Sequence, residues 1–131
     1  MIYLDSSALV KLVVLEAETA ALGQWLAARA TPVVTCALAR TEVPRAVRPH
    51  GAEAIAAARG LLSRLRIIAM DDRLLDAAGV IGPPGLRSLD AVHLCAAQAL
   101  DRALDWFVAY DERLLAAAEG AAMPTISPGV I

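Results

Sequence analysis

Met1-Ile2-Tyr3-Leu4-Asp5-Ser6-Ser7 is the stretch on which the reading of the whole chain turns. Ile2 to Leu4 show no alternation of polar residues, so they read as a short strand buried on both faces, as in a parallel sheet. Asp5 stands at the carboxyl end of that strand, and a helical pattern from Ala8 to Leu15 follows two hydroxyl residues. In open α/β sheets the carboxyl ends of the strands form the ligand crevice. Taken alone, Asp5 or Ser6 serves equally well as a cap for the helix that follows. The positions of the other isolated acids shift that balance.

Outward from this stretch, Glu16 to about Arg29 is a second helical segment with Leu22, Trp25 and Leu26 on one face, stopped by Thr31-Pro32. Val33 to Thr35 is a β-branched strand, and Cys36 to Val47 a helix with Glu42 near its beginning. Proline suits only the first turn of a helix, so Pro44 implies either a start near Thr41 or a kink. After the break at Pro49-His50-Gly51, Ala52 to Leu65 is helical and Arg66 to Met70 a strand. Asp71-Asp72 open a helix over Arg73 to Ile81, closed by the turn cluster Gly82-Pro83-Pro84-Gly85. Leu86 to Ala103 is the longest helix and is apolar nearly all round, Leu89 included, which marks it as buried. Asp90 and His93 are therefore conspicuous, and because a buried carboxylate without a partner is costly, Asp90 is expected to face a polar cleft. Trp106 to Tyr110 is the clearest strand and ends at Asp111; Glu112 to Glu119 is helical, Gly120 caps it, and Met123 to Ile126 is a last strand. Strands alternating with helices predict one α/β domain over residues 1–131, a parallel sheet with helices on both faces. The strands ending at Leu4 and Tyr110 are expected to be neighbours in it.

The chain has 131 residues, 58% of them hydrophobic, with a mean hydropathy of +0.56. No run approaches the roughly 18 unbroken apolar residues of a membrane span, and much of the apolar content is alanine, so the expectation is a soluble protein. Asp5 breaks the start and no basic segment precedes it, which argues against a secretory signal. Cys36 and Cys95 sit in Ala- and Leu-rich segments and read as small buried hydrophobes rather than a bridge or metal pair. Both facts point to the cytoplasm. The net charge of −2 gives no global basic field for a polyanion; such a substrate would have to be held by local arginines and a metal. Lys11 is the only lysine among twelve basic residues. Arg40, Arg45, Arg48 and His50 cluster around one helix and read as its solvated face.

Four acids stand apart from the surface charges: Asp5 and Asp111 ending strands, Glu42 near a helix start, and Asp90 in a buried helix. Four converging carboxylates repel, and neutral pH would not protonate them all. A divalent cation resolves the conflict, and all-oxygen ligands suit Mg²⁺ or Mn²⁺. Such an ion activates water and supports in-line displacement at phosphorus. Each residue also has a plainer reading. Asp111 makes a sound cap for the helix beginning Glu112-Arg113-Leu114, Glu42 could pair with Arg45 three positions on, and His93 reads as a satisfied core or cleft histidine. Asp71-Asp72 is a capping pair outside the site. Ser6 and Ser7 either cap a helix or hold water or phosphate, and Arg87 and Arg113, close in sequence to the acids, are candidates for backbone phosphates.

The chain resembles the PIN-domain family, specifically the VapC-type toxins of toxin–antitoxin modules. The resemblance rests on Ile2-Tyr3-Leu4-Asp5-Ser6-Ser7-Ala8-Leu9-Val10-Lys11 and on Ala37-Leu38-Ala39-Arg40-Thr41-Glu42-Val43. Leu86-Arg87-Ser88-Leu89-Asp90-Ala91-Val92-His93-Leu94 and Phe107 to Leu115 complete it. Each segment is weakly specific, whereas the four in this order and spacing are strongly so. The resemblance implies a three-layer α/β/α sandwich and a Mg²⁺- or Mn²⁺-dependent endoribonuclease whose metal-binding and catalytic quartet is Asp5, Glu42, Asp90 and Asp111. It further implies structured RNA of the tRNA or rRNA class as substrate, a homodimer, and a cognate VapB-type antitoxin that inserts a segment into the active-site groove. Pro44 departs from the family, which carries an apolar helix former there.

Two other classes fit poorly. A haloacid-dehalogenase-like phosphatase needs Asp-x-Asp at the first strand, where this chain has Asp5-Ser6-Ser7. A phospho-acceptor receiver needs an acidic pair at the first strand and a lysine on the fifth, and neither is present. The closer rival is a PIN-like fold that binds antitoxin or RNA without cutting, against which the intact quartet argues.

Overall fold

Five short strands carry the architecture of the computed structural model, which describes residues 1–131. They are β1 (Ile2–Leu4), β2 (Val33–Cys36), β3 (Arg66–Ile68), β4 (Trp106–Val108) and β5 (Thr125–Ile126). All pairings are parallel, in the order β3-β2-β1-β4-β5. The helices α1 (Ser6–Lys11) and α2 (Thr19–Ala27) connect β1 to β2, and α3 (Ala39–Val47) and α4 (Ala52–Ser63) connect β2 to β3. The return to β4 runs through α5 (Asp72–Val80) and α6 (Ser88–Gln98), and α7 (Glu112–Gly120) leads to β5.

Period-two alternation in the strands sorts the core into two layers. Ile2, Leu4 and Val108 pack with Leu9, Leu22, Val43, Val47 and Leu62 from α1 to α4. Tyr3 and Phe107 point the other way, packing with Leu74, Leu94 and Leu114 of α5, α6 and α7. The result is the expected three-layer α/β/α sandwich. Each fully buried aliphatic or aromatic side chain contributes about 1.5–3 kcal/mol to it.

The sheet order places the crevice. The chain works outward from β1 to β3, then crosses back to lay β4 on the other side of β1, so β1 and β4 form the topological switch point where such sheets bind ligands. Ile2, Tyr3 and Leu4 are in register with Trp106, Phe107 and Val108, and the Asp5 N–H continues the ladder by donating to Val108 O at 3.1 Å. The adjacency expected for these two strands is observed.

Boundaries differ from expectation in instructive ways. β3 ends at Ile68 rather than Met70, and β4 at Val108 rather than Tyr110. In both cases the following residues swing out to let an aspartate cap the next helix: Asp71 accepts from Leu74 N and Asp111 from Leu114 N, both at 2.9 Å. Cys36 belongs to β2, and α3 begins at Ala39 and runs through Pro44 instead of starting near Thr41. α6 is shorter than the apolar run, with Asp101–Ala103 forming a separate 3₁₀ turn. Seven successive residues, Ala91 to Ala97, are buried, but Leu89 is 51% exposed because it lies on the outer side of the first turn. No helix is long and apolar enough to cross a membrane.

Candidate active site

Asp5 sits where β1 becomes α1, almost sealed at 4% exposure. Its Oδ1 acts as the cap, accepting from Ala8 N at 2.9 Å and from the Ser7 hydroxyl at 2.7 Å. Ser7 Oγ in turn accepts from Tyr110 N at 3.3 Å, fastening the end of β1 to the segment after β4. The capping and cleft readings of Asp5 therefore hold together, one oxygen for each. Thr35 Oγ1 is the only buried side-chain polar atom without a partner, so Asp5 Oδ2, which takes no hydrogen bond, opens to solvent at the crevice. Burial pushes the Asp5 carboxyl above its ordinary value and the negative charge of Asp90 adds to that, against the opposing influence of His93, Ser7 and the Ala8 N–H.

Glu42 comes from the first turn of α3, and Arg45 is not its partner. Its Oε1 accepts from the Ser6 hydroxyl at 2.7 Å and pairs with His93 Nε2 at 2.6 Å. Burial pushes this carboxyl up, but the hydrogen bonds from His93 and Ser6 outweigh it and hold Glu42 below the usual range. His93, 2% exposed, is satisfied on both nitrogens, its Nδ1 lying 2.7 Å from the Tyr3 hydroxyl.

Asp90 opens α6 and Asp111 opens α7, and Arg87 spans them. Its Nε donates to Asp90 Oδ2 at 2.9 Å and its Nη2 to Asp111 Oδ2 at 3.2 Å. Arg113 joins Arg87, Tyr110, Asp111 and Glu112 around a shallow cavity of about 310 Å³. A larger cleft of about 500 Å³ beside α5 and α6 is mainly apolar and contains none of the four acids. The fold thus sets the four predicted acids around the carboxyl end of the β1–β4 pair, with Ser7 turned inward onto Asp5 and Arg87 and Arg113 beside Asp111. Sequence reasoning left Tyr3 out of the site, gave Ser6 either a capping or a ligand-holding role, and read His93 as merely satisfied. The available signals were a phenol in an otherwise aliphatic buried strand, which needs a partner for its hydroxyl, and a histidine one helical turn beyond Asp90.

The donor set suits a hard divalent cation, since Asp5 Oδ2, Glu42 Oε2 and Asp90 Oδ1 carry no hydrogen bond and are oxygens of the right kind. As the side chains stand, no three of the chain's His, Cys, Asp or Glu residues surround a single cation position. Arg87 instead ties Asp90 to Asp111, while His93 and Ser6 hold Glu42 and Ser7 holds Asp5.

Comparison with known proteins identifies the family. Residues 2–120 match the PIN domain model. Ribonuclease VapC46 of Mycobacterium tuberculosis is 46% identical over 127 residues, covering 97% of both chains. The chain belongs to the PIN-domain family, in its VapC group. Among solved structures, M. tuberculosis VapC20, a sarcin–ricin loop cleaving toxin, superposes with a TM-score of 0.78 at 17% identity over 98% of this chain and 100% of that one. A toxin–antitoxin complex from Klebsiella pneumoniae gives 0.73 at 19% identity over 98% of each chain. At that identity both likenesses speak for the PIN fold alone. In this PIN domain, both strand-end aspartates and both helix-borne acids lie at the switch point between β1 and β4.

Proposed function

We propose that this VapC-type endoribonuclease toxin cuts RNA at the Asp5, Glu42, Asp90 and Asp111 crevice with the help of Mg²⁺ or Mn²⁺. The observation that carries the reading is the convergence of four acids from four separate elements on a topological switch point, with a partnerless anionic oxygen on the nearly sealed Asp5. Asp5, Glu42 and Asp90 would hold the cation, and Asp111 would complete the shell. The cation, when bound, supplies Lewis acidity, activating water and offsetting charge at phosphorus.

The rest falls to the chain's own groups. Ser7 fixes Asp5 against the end of β4 and limits its rotation. Arg87 neutralises Asp90 and Asp111 when the crevice holds no other charge, and with Arg113 it is placed to meet backbone phosphates at the rim. Such contacts position a nucleic acid without reading its sequence, which fits recognition of a structured RNA of the tRNA or rRNA class by shape. Toxins of this type partner with VapB antitoxins. We extend that here to a cognate VapB-type antitoxin reaching into the same crevice, a homodimer, one domain over the whole chain, and residence in the cytoplasm.

The test is cleavage of structured RNA by the purified protein and its Asp5→Asn variant, which keeps shape and capping oxygen but removes the charge. Cleavage by wild type and none by the variant is expected. Equal rates would overturn the assignment of the crevice.

A further inference from the structure

His93 lies under the acidic crevice, where it is too buried to meet substrate, and its two ring nitrogens have opposite partners. A carboxylate oxygen accepts and does not donate, so across the 2.6 Å between His93 Nε2 and Glu42 Oε1 the hydrogen sits on Nε2. On the other side the Tyr3 hydroxyl, a phenol O–H that can donate, lies 2.7 Å from Nδ1, the ring nitrogen left to accept. Tyr3 is itself fixed, stacked on Phe107 with ring centroids 5.5 Å apart and planes 7° apart, and edge-on to His93 at 5.9 Å and 77°. Ser6 Oγ closes the arrangement, 2.7 Å from Glu42 Oε1 and 3.2 Å from His93 Nε2.

From this geometry we infer that Tyr3 and His93 form a buried positioning relay, Tyr3 O–H to Nδ1 and Nε2–H to Glu42 Oε1, which turns Glu42 Oε2 toward the crevice. The inference rests on the reading of Glu42 as a cation ligand. The relay locks one histidine tautomer and one carboxylate rotamer before any ion arrives. Outer groups that orient a ligating carboxylate or histidine typically govern metal affinity by about 10–100-fold. His93 is a positioning residue here, since its only route to the reacting atoms is through Glu42.

Two readouts test this. In ¹⁵N-histidine-labelled protein at neutral pH, long-range ¹H–¹⁵N correlation should show His93 as a single Nε2–H tautomer. His50, the only other histidine and an exposed one, serves as the reference. Tyr3→Phe removes one hydroxyl and leaves the ring stack, and it should abolish the single-tautomer pattern. In Mn²⁺ titrations followed by water-proton relaxation, Tyr3→Phe and His93→Leu should each weaken binding about tenfold or more, and His93→Gln, which restores a donor toward Glu42, should recover part of the loss. A histidine that only fills the core would lower the melting temperature without moving Mn²⁺ affinity. If His93→Leu does not fold, Tyr3→Phe carries the test. An Nδ1–H tautomer in wild type, or wild-type Mn²⁺ affinity in Tyr3→Phe, overturns the relay. Glu42→Gln separates the two claims: if it binds Mn²⁺ like wild type, Glu42 is no ligand and the reading of the site fails, whereas a weak Glu42→Gln beside an unchanged Tyr3→Phe condemns the relay alone.

Discussion

Arg87 contacts two of the four acids with one guanidinium, although its side chain is 64% exposed. Such an exposed pair adds little stability in water, so its main consequence is competition: the arginine and a cation want the same carboxylates. Arg87→Ala is therefore expected to tighten Mn²⁺ binding while weakening RNA binding, and titrating each ligand separately checks the opposite signs. Asp71→Asn is the matched control for the aspartates proposed to act in the crevice, because Asp71 caps its helix as Asp111 does, by accepting from the N–H three residues on; it should cut RNA at the wild-type rate. Tyr110 gives a prediction in pH. Burial, with lesser contributions from Glu18 and Asp5, pushes its hydroxyl up to about 12 from 10.0. A raised folded-state value means that the neutral form favours folding, so this stabilisation is complete below the unfolded value and is lost as pH climbs through about 12. The melting temperature of Tyr110→Phe should fall less steeply than that of wild type across this alkaline window. The acids themselves were legible from sequence because a lone carboxylate that ends an apolar strand or interrupts an apolar helix is costly to desolvate unless something is there to meet it. The true partner of Glu42 was not legible, since Arg45 is its near neighbour on the helix while His93 lies 51 positions away and meets it only in three dimensions.

Among the elements, α3 is the one whose local chemistry and final form conflict. Pro44 lacks the N–H that would bond to the carbonyl four residues back, yet the helix runs from Ala39 to Val47 around it. Val43 and Val47, both fully buried, hold it against α1 and α4, so tertiary packing overrides propensity. Pro44→Ala should raise stability by up to about 3 kcal/mol, read from chemical denaturation; an unchanged or lower value would mean that the packing depends on the proline ring. The strand β4 carries the opposite case, where every signal agrees. Phe107 is fully buried and stacked on Tyr3 across the β1–β4 pair, and Phe107→Ala should cost about 3–5 kcal/mol. The types and order of the elements could be read from apolar runs and punctuating Gly and Pro residues. Their ends could not, because the last strand residues and the capping aspartates are chemically alike in extended conformation, and the cap decides only once the helix forms. The exposure of Leu89 was hidden for a related reason: an apolar sequence does not say which side of a first helical turn faces the core.

At the scale of the molecule, the strand order reverses at β1 and sets β4 beside it, an adjacency that could be anticipated because both strands deliver a lone aspartate after an apolar run. Charge follows the same logic. A chain of net charge −2 has no global basic field for RNA; on the proposed reading affinity comes from the cation and from the few rim arginines, and it should fall with rising salt less steeply than for a basic RNA-binding protein. The apolar content suggests further covered surface, and light scattering at micromolar concentration should report a dimer; a stable monomer would contradict that expectation. The central claim, that the Asp5, Glu42, Asp90 and Asp111 crevice cuts RNA only with a divalent cation, is tested most directly by the rate of cleavage of a structured RNA in Mg²⁺ or Mn²⁺ and again after EDTA. Cleavage with either ion, none in EDTA, and recovery on adding the ion back are predicted; cleavage in EDTA at the rate seen with Mg²⁺ would contradict the claim.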